Sequence, residues 1–338
     1  MIIFNIINLK IYFLLAIRKI YRNYFKIFKI KKFKENYIKQ NKVILDPNKT
    51  SELISKIILE NKPKLITRLG RTEFNVVLNY LSLRNKKLHI LNFIRGKTFE
   101  NWWHQSLINQ IYDWSGFFPK NKNKLEKFSK LYISNIKNID CLGVVLENPY
   151  IEDYFKTKLK KSTKVNIYNL GGFHSNNSWV QSLKNKKVLV IHPFTDTIKK
   201  QYIKRDKIFK RGYLPKFKLK TLKAVQSIGG ETDNFKHWFK ALKYMKDEME
   251  KIDFDIALIG CGAYGYPLAA HAKKIGKIGF HLGGELQLIF GIIGKRYENL
   301  KHFNSFPITR KMVNKYWCRP SIKERPTNYK KVEDGCYW

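Results

Sequence analysis

From residue 46 onward, short apolar runs alternate with amphipathic stretches. Asp46-Pro47-Asn48 is a helix-start signal, and Leu53, Ile54, Ile57 and Ile58 recur at helical spacing, so a helix is predicted over 46–60. The run KLITRL at 64–69 predicts a short strand, Gly70 a turn, and Phe74, Val77 and Leu78 the apolar side of a helix opening near Arg71. An aromatic stretch over 99–118 predicts helices covering a sheet edge or a pocket, and a further helix fits 123–138. Strands are predicted at 141–146, 164–170, 187–192 and 219–225, with a basic helix after His192 and another helix over 233–251. The clearest unit is a strand at 255–259, a glycine loop at 260–265, a helix at 266–275 closed by Gly276, and a strand at 277–281. This alternation predicts an α/β fold: a doubly wound, mostly parallel Rossmann-like sheet with helices on both faces.

The first 45 residues follow another pattern and are expected to form a basic, amphipathic helical extension to one domain over 46–338. Residues 1–17 are apolar apart from Asn5, Asn8 and Lys10, but are short for a membrane span and lack a small-residue cleavage site. Lysines and arginines interleaved with Tyr21, Tyr24, Phe25, Phe28 and Phe33 follow. Such a segment suits an interfacial helix on an anionic membrane, through residues 1–34, and equally a helix packed on the protein's own core. A cytoplasmic protein, peripheral to the inner face of a membrane, is the expected location.

Charge sharpens this only partly. The formal net charge is +40 over 338 residues, which invites a polyanion or membrane partner. The basic residues are 54 Lys against 12 Arg, however, whereas nucleic-acid readers lean on Arg for bidentate and stacking contacts. Nucleic acid is therefore disfavoured, and compositional drift or a phosphorylated ligand accounts for the charge as well. Cys141, Cys261, Cys318 and Cys336 show no paired spacing and no histidine cluster, which argues against zinc and against a disulfide framework.

Candidate chemistry gathers at predicted strand ends. Gly260-Cys261-Gly262-Ala263-Tyr264-Gly265 matches G-x-G-x-x-G between a strand and a helix, where Gly260, Gly262 and Gly265 would let backbone approach a phosphate. The same glycines could serve only tight strand–helix packing. The next strand ends in His281 with no acidic residue before Gly283 and Gly284, which disfavours NAD; Glu285 comes only after them. His281, Gly283, Gly284, Gln287, Lys295 and Arg296 make a candidate phosphate or sugar pocket, with a strand-end histidine and a solvated turn as the bland alternative. Arg68, Gly70, Arg71 and Glu73 stand at the first strand–helix turn. There Glu73 either complements the helix dipole or acts as a base or ligand-binding group. His192 is a candidate phosphate contact or a capped turn, and Glu147 is a third strand-end carboxylate.

The segments RLGRTEF (68–74), VLVIHPFTDTIKKQY (188–202), ALIGCGAYGYPLAAHAKKIGK (257–277) and HLGGELQLIFGIIGKR (281–296), with WCRP and GCYW between 317 and 338, resemble bacterial proteins with a GT-D-like glycosyltransferase fold. The resemblance covers about 48–338 and implies a link to surface-polysaccharide biosynthesis. It implies transfer of a sugar from a nucleotide-sugar donor to a cell-surface glycan or lipid-linked acceptor, with Glu73 the catalytic carboxylate. Donor and phosphate contacts would come from Arg68, Gly70, Arg71, His192, His281, Gln287, Lys295, Arg296 and the glycines. In that family an Asp-x-Glu pair at the first turn is implicated in metal or donor binding; here Arg71 stands in the aspartate's place. A single carboxylate beside a cation is a poor site for Mg²⁺ or Mn²⁺, and Arg71 could pair with a diphosphate directly. Two other readings remain open: a non-catalytic nucleotide- or sugar-phosphate-binding protein of a polysaccharide-assembly complex, and a basic nucleic-acid-binding protein.

Overall fold

The computed structural model describes residues 12–21, 33–84, 93–94, 102–209, 212–230, 235–297 and 312–338. Most of the predicted interfacial segment lies outside these residues. Within it, residues 12–21 are helical, and Tyr12, Phe13 and Ile20 are exposed.

The domain is built on seven parallel strands: β1 (Lys64–Arg68), β2 (Cys141–Val144), β3 (Thr163–Asn166), β4 (Lys187–His192), β5 (Lys218–Lys223), β6 (Ile256–Ile259) and β7 (Ile278–His281). They lie in the order β3-β2-β1-β7-β6-β4-β5. The central pair joins strands more than two hundred positions apart, with Lys64 opposite Ile278 and Ile66 opposite Phe280. The helices are α1 (Pro47–Glu60), α2 (Arg71–Arg84), α3 (Gln105–Ser115), α4 (Lys122–Asn135), α5 (Tyr150–Tyr154), α6 (Thr195–Ile203), α7 (Arg205–Ile208), α8 (Trp238–Glu250), α9 (Gly265–Lys274) and α10 (Leu286–Ile289).

Alternating strand residues feed two separate cores. Leu65, Leu189, Ile191, Ala257 and Ile259 pack on one face with α2, α4, α8 and α9. Ile66, Val188, Val190, Ile256, Leu258 and Phe280 pack on the other with α1, α6, α10 and the C-terminal segment. Both faces are covered, which is why these strands read as unbroken apolar runs. The predicted helix start at Asp46 is a side-chain cap: Lys49 N–H donates to Asp46 Oδ1 at 2.9 Å, with Pro47 in the first turn.

Several predicted strands are shorter than the apolar runs that announced them. The run over 141–146 pairs only through Val144, and 164–170 becomes a 3-10 turn from Ile167. Leu146 and Leu170 are buried all the same, so apolar character marks burial beyond the point where ladder hydrogen bonds stop.

The sheet edge at which the strands begin is tied by carboxylates. Asp140 Oδ2 accepts from Leu65 N–H at 2.8 Å and from Lys273 Nζ at 2.6 Å, and Asp255 Oδ2 accepts from Lys187 N–H at 2.8 Å. The opposite edge, where the strands end, is left for loops.

Helix α9 sits unusually close to β7. A Cβ on Gly279 would lie 2.0 Å from the carbonyl oxygen of Ala269, which is helix backbone and cannot swing aside. Gly279→Val is therefore expected to destabilise the fold by about 3 kcal/mol through overpacking, seen as a lower urea midpoint at unchanged slope.

Candidate active site

A cavity of about 410 Å³ opens where the strands end. The last residues of β1, β4 and β7 line it, as do the loops leaving β2 and β6. In an open parallel sheet this edge is where ligand crevices form, beside strands whose following connections run to opposite sides. Here β4 leads outward to β5, whereas its neighbour β6 leads back toward β7.

The first strand–helix turn brings Arg68, Gly70, Arg71 and Glu73 to the cavity wall. Glu73 lies in the first turn of α2, and its carboxylate folds back over Gly70: a Cβ there would sit 2.1 Å from Glu73 Oε2. Gly70 thus lets the carboxylate lie against the turn. Arg71 extends the other way, donating from Nη2 to the Asn148 carbonyl at 3.2 Å and lying 5.5 Å from the Tyr150 ring centroid. Among the described residues, no hydrogen bond or ion pair engages the Arg68 guanidinium.

His192 and His281 end β4 and β7. Phe194 N–H donates to His192 Nδ1 at 3.0 Å, which puts the ring proton on Nε2. His281 Nδ1 lies 3.2 Å from Thr67 Oγ1, whose own proton goes to the Arg68 carbonyl at 3.0 Å. His281 therefore carries its proton on Nδ1 and leaves Nε2 as an acceptor. Burial lowers the pKa of both rings to about 3, with the Arg68 charge adding to the effect at His281. The two rings are neutral and opposite in donor–acceptor sense, so any phosphate contact they make is a neutral one.

The glycine loop is more tightly packed than its pattern required. A Cβ on Gly260 would meet the Gly283 carbonyl at 2.6 Å, on Gly262 the Ser115 carbonyl at 2.7 Å, and on Gly265 the His281 ring at 2.4 Å. Tyr132 OH donates to Ala263 O at 2.6 Å, and Tyr264 stacks on Trp238 at 5.2 Å. Gly260, Cys261 and Gly262 line the cavity; Gly265 does not, lying behind His281. The glycines thus serve close packing of loop, helix and strand, whatever they also offer a ligand.

The second glycine turn divides. Gly283, at φ +63°, lies beside Arg68, and Gly284 lies against Tyr337. Gln287 is fully buried and donates to the carbonyls of Ile292 at 3.3 Å and Tyr337 at 3.4 Å, holding the C-terminal segment. Arg296 lines the cavity, paired with Glu333 and 5.0 Å from the Tyr337 ring centroid. Lys295 faces outward, paired with Asp334, and does not line the cavity. After His192, the N-terminus of α6 is occupied by protein: Glu324 accepts from Asp196 N–H at 2.8 Å. Glu147 is not part of the wall and lies by the Tyr168 hydroxyl.

Sequence reasoning did not single out several wall residues. Tyr168, Tyr337 and Trp338 supply rings, and Glu285 supplies a buried carboxyl, whereas Trp114 belongs to the aromatic stretch expected to cover a sheet edge or pocket and does line the wall. The only sequence signal for the C-terminal rings was the resemblance carried by GCYW.

A family model, GT-D-like, described as a GT-D fold-like domain, matches residues 45–289. The chain belongs to this family. No curated protein and no solved structure matches the chain. The GT-D-like match spans every strand of the sheet and stops at the end of α10, whereas the cavity also draws on residues 296–338. The family resemblance raises the question of a divalent ion, and the donor set does not fit one. At the first turn Glu73 is flanked by Arg68 and Arg71, and no group of three His, Cys, Asp or Glu side chains among the described residues is placed to share a metal.

The neutral histidines set an acid limit on stability. Unfolded, each takes a proton below about 6.5; folded, each resists until about pH 3. Their contribution is complete above pH 6.5 and is lost as the pH falls toward 3. A double variant, His192→Asn with His281→Asn, keeps a donor or acceptor at each Nδ1 position. Between pH 7 and 4.5 it is expected to lose about 2 kcal/mol less stability per ring than the parent, measured as urea midpoints at the two pH values.

Proposed function

We propose that the protein is a glycosyltransferase that moves a sugar from a nucleotide-sugar donor to a glycan or lipid-linked acceptor. Membership of the GT-D-like family supports the reaction class. The observation that carries the reading furthest is a cavity at the strand ends with both a carboxylate, Glu73, and guanidinium groups, Arg68, Arg71 and Arg296, in its wall. Transfer needs both. The acceptor hydroxyl gives its proton to the Glu73 carboxylate as its oxygen bonds to the anomeric carbon. The bond from that carbon to the phosphate oxygen breaks, and the nucleoside diphosphate leaves with the electron pair. Arg68 and Arg71 meet the growing phosphate charge directly, in place of a metal ion. Trp114, Tyr168 and Tyr337 offer faces for a sugar or a base.

Residues 12–21 form a helix whose exposed Tyr12, Phe13 and Ile20 suit a membrane interface, where a lipid-linked acceptor would be found. Among the described residues no helix is long and apolar enough to cross a membrane.

Arg71 in the family's aspartate position favours one second reading, a non-catalytic protein that binds the same donor. Thermal-shift measurements with UDP-, GDP-, CMP- and dTDP-sugars, each with and without Mn²⁺, test the donor site. Stabilisation by one nucleotide class, unchanged by Mn²⁺, is expected; a shift that requires Mn²⁺ overturns the role given to Arg71. With the donor in hand, Glu73→Gln is expected to keep its fold and donor binding while transfer falls at least about a hundredfold. Binding without any transfer by the parent protein moves the assignment to the second reading.

A further inference from the structure

Glu285 is the last residue of the 3-10 turn that follows β7. It is 8% exposed and lines the cavity. Its Oε2 is buried without a hydrogen-bond partner, and among the described residues no hydrogen bond or ion pair reaches its carboxyl. Arg68 is the charge that acts on Glu285 electrostatically, yet among the described residues no ion pair joins the two. Arg68 is held beside the same turn: a Cβ on Gly283 would lie 3.5 Å from its Nη1.

An ionised carboxylate so buried, with neither a hydrogen bond nor an ion pair, is costly enough that it takes up a proton instead. The groups facing Glu285 from other elements do not change this. Tyr168, Tyr213 and Tyr297 interact with it, and burial pushes their hydroxyls further above neutrality, so they carry no charge. His281 is neutral. Only Arg68 favours the carboxylate, and an anion bound to Arg68 would cancel that support.

We propose that Glu285 is a ligand-contacting residue of this cavity and meets the bound anion as a carboxylic acid, donating its own proton to a phosphate oxygen held by Arg68. This rests on the reading of the cavity as a phosphate-bearing donor site. It adds a residue to which neither the resemblance nor the sequence patterns gave a role. Burial is consistent with it, raising the Glu285 pKa to about 7 against the opposing pull of Arg68. The other buried carboxyl with a similar shift, Glu152, does not line the cavity and accepts from Val145 N–H at 3.3 Å, so its role is structural.

The consequence is proton uptake on binding. Above about pH 7 the free protein has lost the proton that the complex needs, so affinity falls as the pH rises. UDP-glucose, GDP-mannose and dTDP-glucose are suitable probes, because their diphosphate diesters do not titrate near neutrality. Calorimetric titration at pH 6 and pH 8, in buffers of different ionisation enthalpy, is the experiment. The parent protein should bind one of them about tenfold more weakly at pH 8 and take up close to one proton there. Glu285→Gln keeps a donor at this position; it should bind equally at both pH values, without proton uptake. Glu285→Ala should bind weakly at both. Affinity of the parent that does not change with pH, or a Glu285→Gln variant weak at both pH values, overturns the proposal; the second outcome makes Glu285 an acceptor for a ligand hydroxyl. If no nucleotide sugar binds but sulfate binds with the same dependence on pH and on Glu285, the donor reading fails and the Glu285 proposal stands. If neither probe follows that pattern, the Glu285 proposal fails.

Discussion

The parallel pairing of β1 with β7 is the constraint on which the site depends. It places Ile66 beside Phe280, so the turn after β1 and the turn after β7 open at the same height on the same edge of the sheet. Arg68 and Glu73 arrive from one turn, and His281, Gly283 and Glu285 from the other. Parallel strands cannot be joined by tight hairpins. The long crossovers this requires supply the helices that bury both faces, and they leave the strand ends as the place where polar side chains gather.

Glycine makes that pairing compatible with close helix packing. Gly279 lets α9 approach β7 to backbone distance, and Gly265 lets the first turn of α9 rest on the His281 ring. The ring is thereby buried and kept neutral, while its Nδ1 is fixed through Thr67 to the carbonyl of Arg68. Packing and electrostatics are one arrangement here: the contact that seals the core also determines which protonation state faces the cavity.

The C-terminal segment completes the wall from outside the sheet. Lys295 N–H donates to the Trp338 carbonyl and Arg296 N–H to the Cys336 carbonyl, each at 3.0 Å. Gln287 reaches the Tyr337 carbonyl, and Glu324 caps α6. These contacts turn Arg296 inward toward Glu333 and Tyr337 and leave Lys295 outward, although the two cations are adjacent in sequence. The family match ends at residue 289, before this segment.

The order and type of the elements were legible in the chain itself. Asp46-Pro47 gives a capped start, the β-branched run at 187–192 a doubly buried strand, and the glycine loop after β6 a strand–helix turn, because caps, burial and backbone conformation are local demands. Arg68, His192 and His281 were also legible as strand-end residues, and Glu73 as a residue of the first helical turn after β1, since in a parallel α/β sheet ligand crevices form at that edge. The partners of individual polar side chains and the directions in which they point were not. Nothing local separates Lys295 from Arg296, or marks Glu285, a glutamate in a polar turn, as a carboxyl without partners. Those properties arise only when strands more than two hundred residues apart align and the C-terminal segment folds over them, because desolvation depends on what surrounds a side chain and not on its neighbours in sequence.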